Sequence, residues 1–211
     1  MNLKSGRIVI LGTHPETLDA FDPVVHAHDE VWGMAHHDKT TLYATRAFEA
    51  HSPEIVWEHG GNGHVERLKR LASEMPLYTM YEWPMSLGPM HVTVTASDLA
   101  NLGVVRKRPE PFIESSIAYL MAMAIAGWDN DRVTDIFMYG INLDGSDEYT
   151  YQRPNACYLI GKAEGKGINV HLPNTCGLLK SQWSGGVYGH PSNIHDIIYY
   201  LRPHGAPPHA G

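Results

Sequence analysis

Residues 114–143 read ESSIAYLMAMAIAGWDNDRVTDIFMYGINL, an apolar helix opened by two serines and followed at once by a strand ending in Gly-Ile-Asn. Ile117, Leu120, Met121, Ala124, Ile125 and Trp128 share one helical face, with small alanines between them. A helix of about 14 residues packed on a sheet accounts for this spacing. Asp135 to Tyr139 is almost continuously apolar, the composition of a central parallel strand covered on both faces. A helix followed by a buried strand is the repeating unit of a wound α/β sheet.

The same alternation extends in both directions. Arg7 to Leu11 is an apolar run ending in Gly12-Thr13-His14-Pro15, which predicts strand, tight loop and helix, with Pro15 in the first helical turn. Glu30–Gly33 and Ala47–His51 are short strand candidates, His64–Glu74 an amphipathic helix, and Leu77–Tyr81 a further strand. Downstream, Ala156–Lys166 predicts a helix with Pro154 at its first turn, and Ile168–Leu172 a strand closed by Pro173-Asn174-Thr175. From Glu82 to Pro111 prolines and glycines interrupt every period, which predicts an irregular, lid-like insertion at about 82–112. The expected fold is a single doubly wound, mostly parallel, Rossmann-like α/β domain over residues 1–203, with a disordered tail at 204–211.

Composition narrows the function classes. The 211 residues carry a formal charge of -7, which makes nucleic acid an unlikely partner because backbone binding rests on clustered cations. Cys157 and Cys176 stand 19 positions apart without a CxxC partner, so no disulfide framework is expected and a reducing, cytoplasmic setting fits. No apolar run reaches membrane-spanning length, so no membrane partner is expected. Aromatic residues between Tyr78 and Trp83 offer an exposed surface for an acceptor or for a homo-oligomer.

In an open α/β sheet, ligands gather outside the carboxyl ends of the strands. Four polar tips fall there: Gly12-Thr13-His14, Ser115-Ser116 after Glu114, Gly140-Ile141-Asn142, and Asn174-Thr175. Gly12 serves equally as a tight turn or as a phosphate-approaching loop, with neither GxGxxG nor GxxxxGK[ST] around it. Ser115 and Ser116 can cap their helix, and the same dipole end can hold a phosphate. Arg153 offers a planar fork for phosphate. His51 at a strand end and Glu148 after the Gly140 strand are candidates for a general base. Fourteen histidines include His26 with His28, His36 with His37 and Asp38, and His59 with His64. None has a recognised ligand spacing, so no metal site is assigned.

The Ser-Ser-Ile-Ala-Tyr-Leu helix, the strand ending Gly140-Ile-Asn142 and the strand ending Pro173-Asn-Thr175 together resemble the core of the bacterial sialyltransferases of glycosyltransferase family 42. They are also similar to the MptE-like (6-hydroxymethylpterin diphosphokinase-like) Rossmann proteins. The likeness is nearest to bacteriophage members sharing Tyr151-Gln-Arg-Pro154 and Leu178-Leu-Lys180, and it covers residues 114–180 and the Gly12 loop. It implies a nucleotide, or nucleotide sugar, held by Gly12, Thr13, His14, Ser115, Ser116, Gly140, Asn142, Asn174 and Thr175. Tyr149 and Tyr151, with Arg153, would support the leaving phosphate. The sialyltransferase histidine has no counterpart between Gly140 and Lys166, so His51 or Glu148 would activate the acceptor. A diphosphokinase-like transfer would instead need ATP and Mg2+, with Asp144 and Asp147 available. A nucleotide-binding protein without turnover is the third reading.

Overall fold

In the computed structural model the described residues are 3–107, 109–127, 132–143 and 149–179. The chain divides into a unit Met1–Leu178 and a second unit Leu179–Gly211; the expected 204–211 tail, Trp128, Asp144, Asp147 and Glu148 lie outside the described residues.

Seven strands form one all-parallel sheet: β1 (Arg7–Leu11), β2 (Glu30–Met34), β3 (Arg46–Glu49), β4 (Leu77–Thr79), β5 (His91–Thr93), β6 (Asp135–Tyr139) and β7 (Asn169–His171). Their spatial order is β5-β4-β3-β2-β1-β6-β7. The chain winds outward from β1 to one edge, then crosses back to place β6 on the other side of β1. The carboxyl ends of β1 and β6 therefore bound the crevice where such sheets receive ligands.

The helices of the described residues are α1 (Pro15–Leu18), α2 (Asp38–Thr41), α3 (Pro53–Glu74), α4 (Ala96–Asn101), α5 (Ser116–Ala126) and α6 (Tyr149–Gly165). Alternate strand residues feed opposite layers, as the pleat requires. Ile8, Ile10, Trp32, Phe48 and Tyr78 join Leu99 of α4, the α5 side chains and Leu159 of α6 in the largest core cluster. Val9, Leu11 and Val31 face the other way, against Leu18 and Phe21. On that second side α3 also packs Val65, Leu68 and Leu71 against Leu77.

Helix α5 departs from the one-faced packing expected of it. Every residue from Ile117 to Ile125 is buried, because α5 lies against β1, β3, α4 and α6 together. A helix apolar all round requires that enclosure. Its cap is the Ser115 hydroxyl, which accepts the Ala118 N–H at 3.1 Å. Buried Asn155 of α6 braces the approach to this cap: its Oδ1 accepts the Glu114 N–H at 2.8 Å, and its Nδ2 donates to the Phe112 carbonyl at 2.9 Å.

Three expectations need correction. The segment 82–112 is not irregular throughout, since it contains the edge strand β5 and the helix α4. Thr95 and Asp98 close a capping box at the start of that helix, a local signal stronger than the surrounding prolines and glycines. Helix α6 begins at Tyr149, so Pro154 lies inside it rather than in its first turn. The Tyr78–Trp83 aromatics are not a uniformly exposed surface. Tyr78 stacks on Phe48 and Trp83 packs on Trp57, both buried, while Tyr81 alone of the three is exposed.

Candidate functional site

A cleft of ≈ 720 Å³ opens above the carboxyl ends of β1, β2, β3 and β6, within the usual range for small-molecule sites. Its walls are loops and helix starts. Thr13, His14 and Pro15 lead into α1, Ser52 and Ile55 open α3, Ser115 and Ser116 open α5, and Tyr149, Tyr151 and Gln152 open α6. Four helix starts thus border one space; the first-turn backbone N–H groups of the longer helices α3, α5 and α6 carry partial positive charge, whereas α1 is a single four-residue turn.

The floor is set by two glycines. Gly12 and Gly140 touch through their backbones: a Cβ built on Gly12 would stand 2.2 Å from the Gly140 carbonyl oxygen. Gly140 also has φ +69°, a conformation glycine adopts without cost. Gly12 donates its N–H to the Tyr139 carbonyl (2.7 Å) and His14 donates to that of Gly140 (2.8 Å). The freedom of Gly12 therefore serves the contact between the β1 and β6 loops, and it is Gly140, Thr13 and His14 that line the cleft.

Asn142 is oriented by its surroundings. Its Oδ1 accepts the Gly177 N–H at 2.5 Å, which leaves its Nδ2 facing His14 Nε2 at 3.5 Å. The ring proton of His14 then belongs on Nδ1, an atom buried without a partner among the described residues.

On the β3 side lies an arrangement that sequence spacing did not show. Glu49, the last residue of β3, has a fully buried side chain. His51 Nδ1 lies 2.5 Å from its Oε1, and His64 Nε2 from α3 lies 2.9 Å from its Oε2. Burial pushes the Glu49 carboxylate up, but the hydrogen bonds from His51 and His64 prevail and bring its pKa to about 2. The bond to Glu49 in turn raises the His51 pKa. His36, at the end of β2, packs its ring 5.4 Å from that of His51. Partial desolvation lowers its pKa, although the residue stays exposed at the cleft wall. Ligand atoms of His36, Glu49 and His51 all lie within 4.8 Å of one another.

Of the residues singled out from sequence, Thr13, His14, Ser115, Ser116, Gly140, Asn142, His51, Tyr149 and Tyr151 line this one cleft. Arg153 does not: its Nε donates to the Leu178 carbonyl at 2.9 Å, which holds the side chain in the packing of α6. Asn174 and Thr175 line a separate cavity of ≈ 370 Å³ with Phe137, Tyr139 and His171. The cause is topological, because β7 is the sheet's outer strand and its carboxyl end lies beyond β6. The sequential histidine groupings form no common ligand set; the structure instead joins His36 of the second grouping to Glu49 and His51. Elsewhere His26 is committed to Asp29 (2.7 Å) and the Tyr139 hydroxyl (3.0 Å).

No protein-family model, curated protein or solved structure matches the chain. Among the described residues, no helix is long and apolar enough to cross a membrane.

Proposed function

We propose that the cleft binds a nucleotide or nucleotide sugar and that the protein is a nucleotide-dependent transferase of glycosyltransferase-like type. The observation that carries this reading is the convergence of four helix starts, with His14, Asn142, Ser115 and Ser116, at the crevice beside β1 and β6. Backbone N–H groups at helix starts suit phosphate oxygens. The Ser115 oxygen accepts the helix-cap bond, which leaves its hydroxyl hydrogen to donate to a ligand, and Ser116 lines the same cleft. Tyr149 and Tyr151, both exposed, are available as hydroxyl donors to the leaving phosphate.

The acceptor faces the β3 wall in this reading. Glu49 holds His51 Nδ1 by hydrogen bonding, which fixes the ring tautomer and directs the other ring nitrogen to the acceptor hydroxyl as general base. Glu49 takes the part of the orienting carboxylate. Cys157 and Cys176 are not joined in a disulfide, which agrees with a cytoplasmic setting for such an activity.

A thermal-shift screen of CMP, UMP, GMP, ADP, ATP and nucleotide sugars, with and without a divalent cation, tests the proposal. At a ligand concentration of 100 Kd, binding to the native state contributes about 2.7 kcal/mol, or roughly 5–11 °C for a chain of this size. Ser116→Ala, which leaves the Ser115 cap intact, and Asn142→Ala should both reduce the shift. The absence of a shift with every compound would remove the nucleotide reading. A shift without turnover of any nucleotide sugar or ATP would leave binding and exclude the transferase.

A further inference from the structure

The cleft has an unusual charge inventory for a site that takes phosphates. Among the described residues its titratable lining is His14, His36, His51, Glu114 and three tyrosines, with no lysine or arginine. Helix N-termini supply partial charge only, and Glu114 opposes an anion. A nucleotide diphosphate therefore calls for a cation that the lining side chains do not supply.

The β3 wall has the chemistry to hold one. We propose that His36, Glu49 and His51 bind a divalent first-row transition metal ion, with zinc as the reference case. Two imidazoles and one carboxylate form an N2O donor set suited to that class. All three ligand atoms lie within 4.8 Å of one another. Zinc bonds of about 2.0–2.2 Å place neighbouring ligand atoms roughly 3–3.5 Å apart. Seating the ion thus means opening the 2.5 Å Glu49–His51 contact by under about 1 Å and drawing His36 inward. The ion takes the place of the hydrogen between Glu49 and His51.

Two further features favour the assignment. Glu49 is wholly buried, and its two carboxylate oxygens face two imidazole nitrogens at 2.5 and 2.9 Å. His64 holds the carboxylate oxygen that His51 does not (2.9 Å), the outer-sphere bracing that ligating carboxylates typically receive. His36 and His51 line the cleft, so three protein ligands leave the remaining coordination positions to substrate or water, the pattern of a catalytic rather than a structural site.

The ion-binding part of this inference stands apart from the nucleotide reading; its link to phosphate rests on that reading. With the ion bound, His51 would be a ligand rather than the general base of the metal-free reading, and the ion would supply Lewis-acid charge at the cleft wall.

The test uses the full chain stripped with a chelator and titrated with Zn2+ against a chromophoric competitor, and with Co2+ by absorption, in the absence of nucleotide. One equivalent should bind tightly, and the Co2+ spectrum should show the intense d–d bands of a four- or five-coordinate site. His36→Ala and His51→Ala should each weaken binding at least 100-fold, and His64→Ala about 10–100-fold. Exposed His59 provides the background control, and His59→Ala should change nothing. Glu49→Gln keeps the buried shape and should also lose the ion, with circular dichroism confirming the fold of every variant. Weak binding of several equivalents, unaffected by these substitutions, would overturn the assignment, as would tight binding that survives His51→Ala. Either failure leaves the metal-free nucleotide shift untouched, so the two readings fall separately.

Discussion

Substituting Gly12 by alanine probes the contact on which the cleft floor is built. The added methyl would lie 2.2 Å from the Gly140 carbonyl oxygen, 2.8 Å from its carbon and 2.8 Å from Ile141 Cγ1, against an ordinary carbon contact of about 3.5–4.0 Å. Two of the three atoms are backbone, so no side-chain rotation relieves the overlap, and the β1 and β6 loops must part by roughly 1–2 Å. That displacement strains the Gly12–Tyr139 and His14–Gly140 hydrogen bonds, at about 1 kcal/mol each, and adds an overpacking cost of about 1–3 kcal/mol. The combined loss of about 3–5 kcal/mol corresponds to a fall in Tm of roughly 6–20 °C, read by calorimetry or by urea unfolding with an unchanged m-value. Gly161 in α6 supplies the contrast, since nothing lies within 4 Å of its Cβ position. Gly161→Ala should raise stability by about 0.5–1 kcal/mol. A Gly12→Ala protein melting within about 2 °C of the parent would refute the close-contact argument.

Asn155→Ala should cost about 2–4 kcal/mol, because it strands the Glu114 N–H and the Phe112 carbonyl that the buried amide now satisfies. It should also weaken any ligand at the α5 N-terminus, which titration at a temperature well below the lowered Tm will show. Acid should act on the opposite end of the sheet. Burial pushes Asp29 up, but bonds from Arg7 and His26 leave its pKa lowered. Glu30 behaves likewise through the Lys4 N–H, Arg46 and Thr45. The unfolded chain therefore takes up these protons first: the stability they contribute is complete above the ordinary carboxylate range of about pH 4 and is lost as pH falls through the folded values. Asp29→Asn and Glu30→Gln should each flatten the acid limb of a Tm-against-pH curve, and an unchanged limb would count against these pairs.

The parts of the fold that sequence displayed are those where burial dictates composition. The bounds of β6 were legible to the residue from its apolar run, although the expected cover on both faces is incomplete: Ile136 and Met138 are buried while Asp135, Phe137 and Tyr139 are half-buried. β5 was not: His91-Val-Thr93 is three residues at a half-exposed edge, too short to show a period. The cleft was legible at the β1, α5 and β6 tips, where glycine, serine and asparagine mark strand ends and helix starts. Glu49 was hidden because a carboxylate at the end of a four-residue strand reads as a solvent-facing charge. His51 reaches it from two positions along the chain, but His36 and His64 meet it only through the pairing of β2 with β3 and the path of α3, and no local spacing encodes that three-histidine meeting. Arg153 misled for the converse reason, because a phosphate-binding arginine and one bonded to a carbonyl look alike in sequence.

The winding order also bears on biosynthesis. β1 to β5, between Arg7 and Thr93, leave the ribosome first and can pair in sequence, yet β6, which hydrogen-bonds the other edge of β1, follows only at Asp135–Tyr139. Over that interval the strand holding Ile8, Val9, Ile10 and Leu11, all at 0% exposure once folded, presents a bare apolar edge of the kind that recruits other strands. Nascent chains should therefore be most prone to aggregate, and most dependent on chaperones, between the completion of β5 and the arrival of β6.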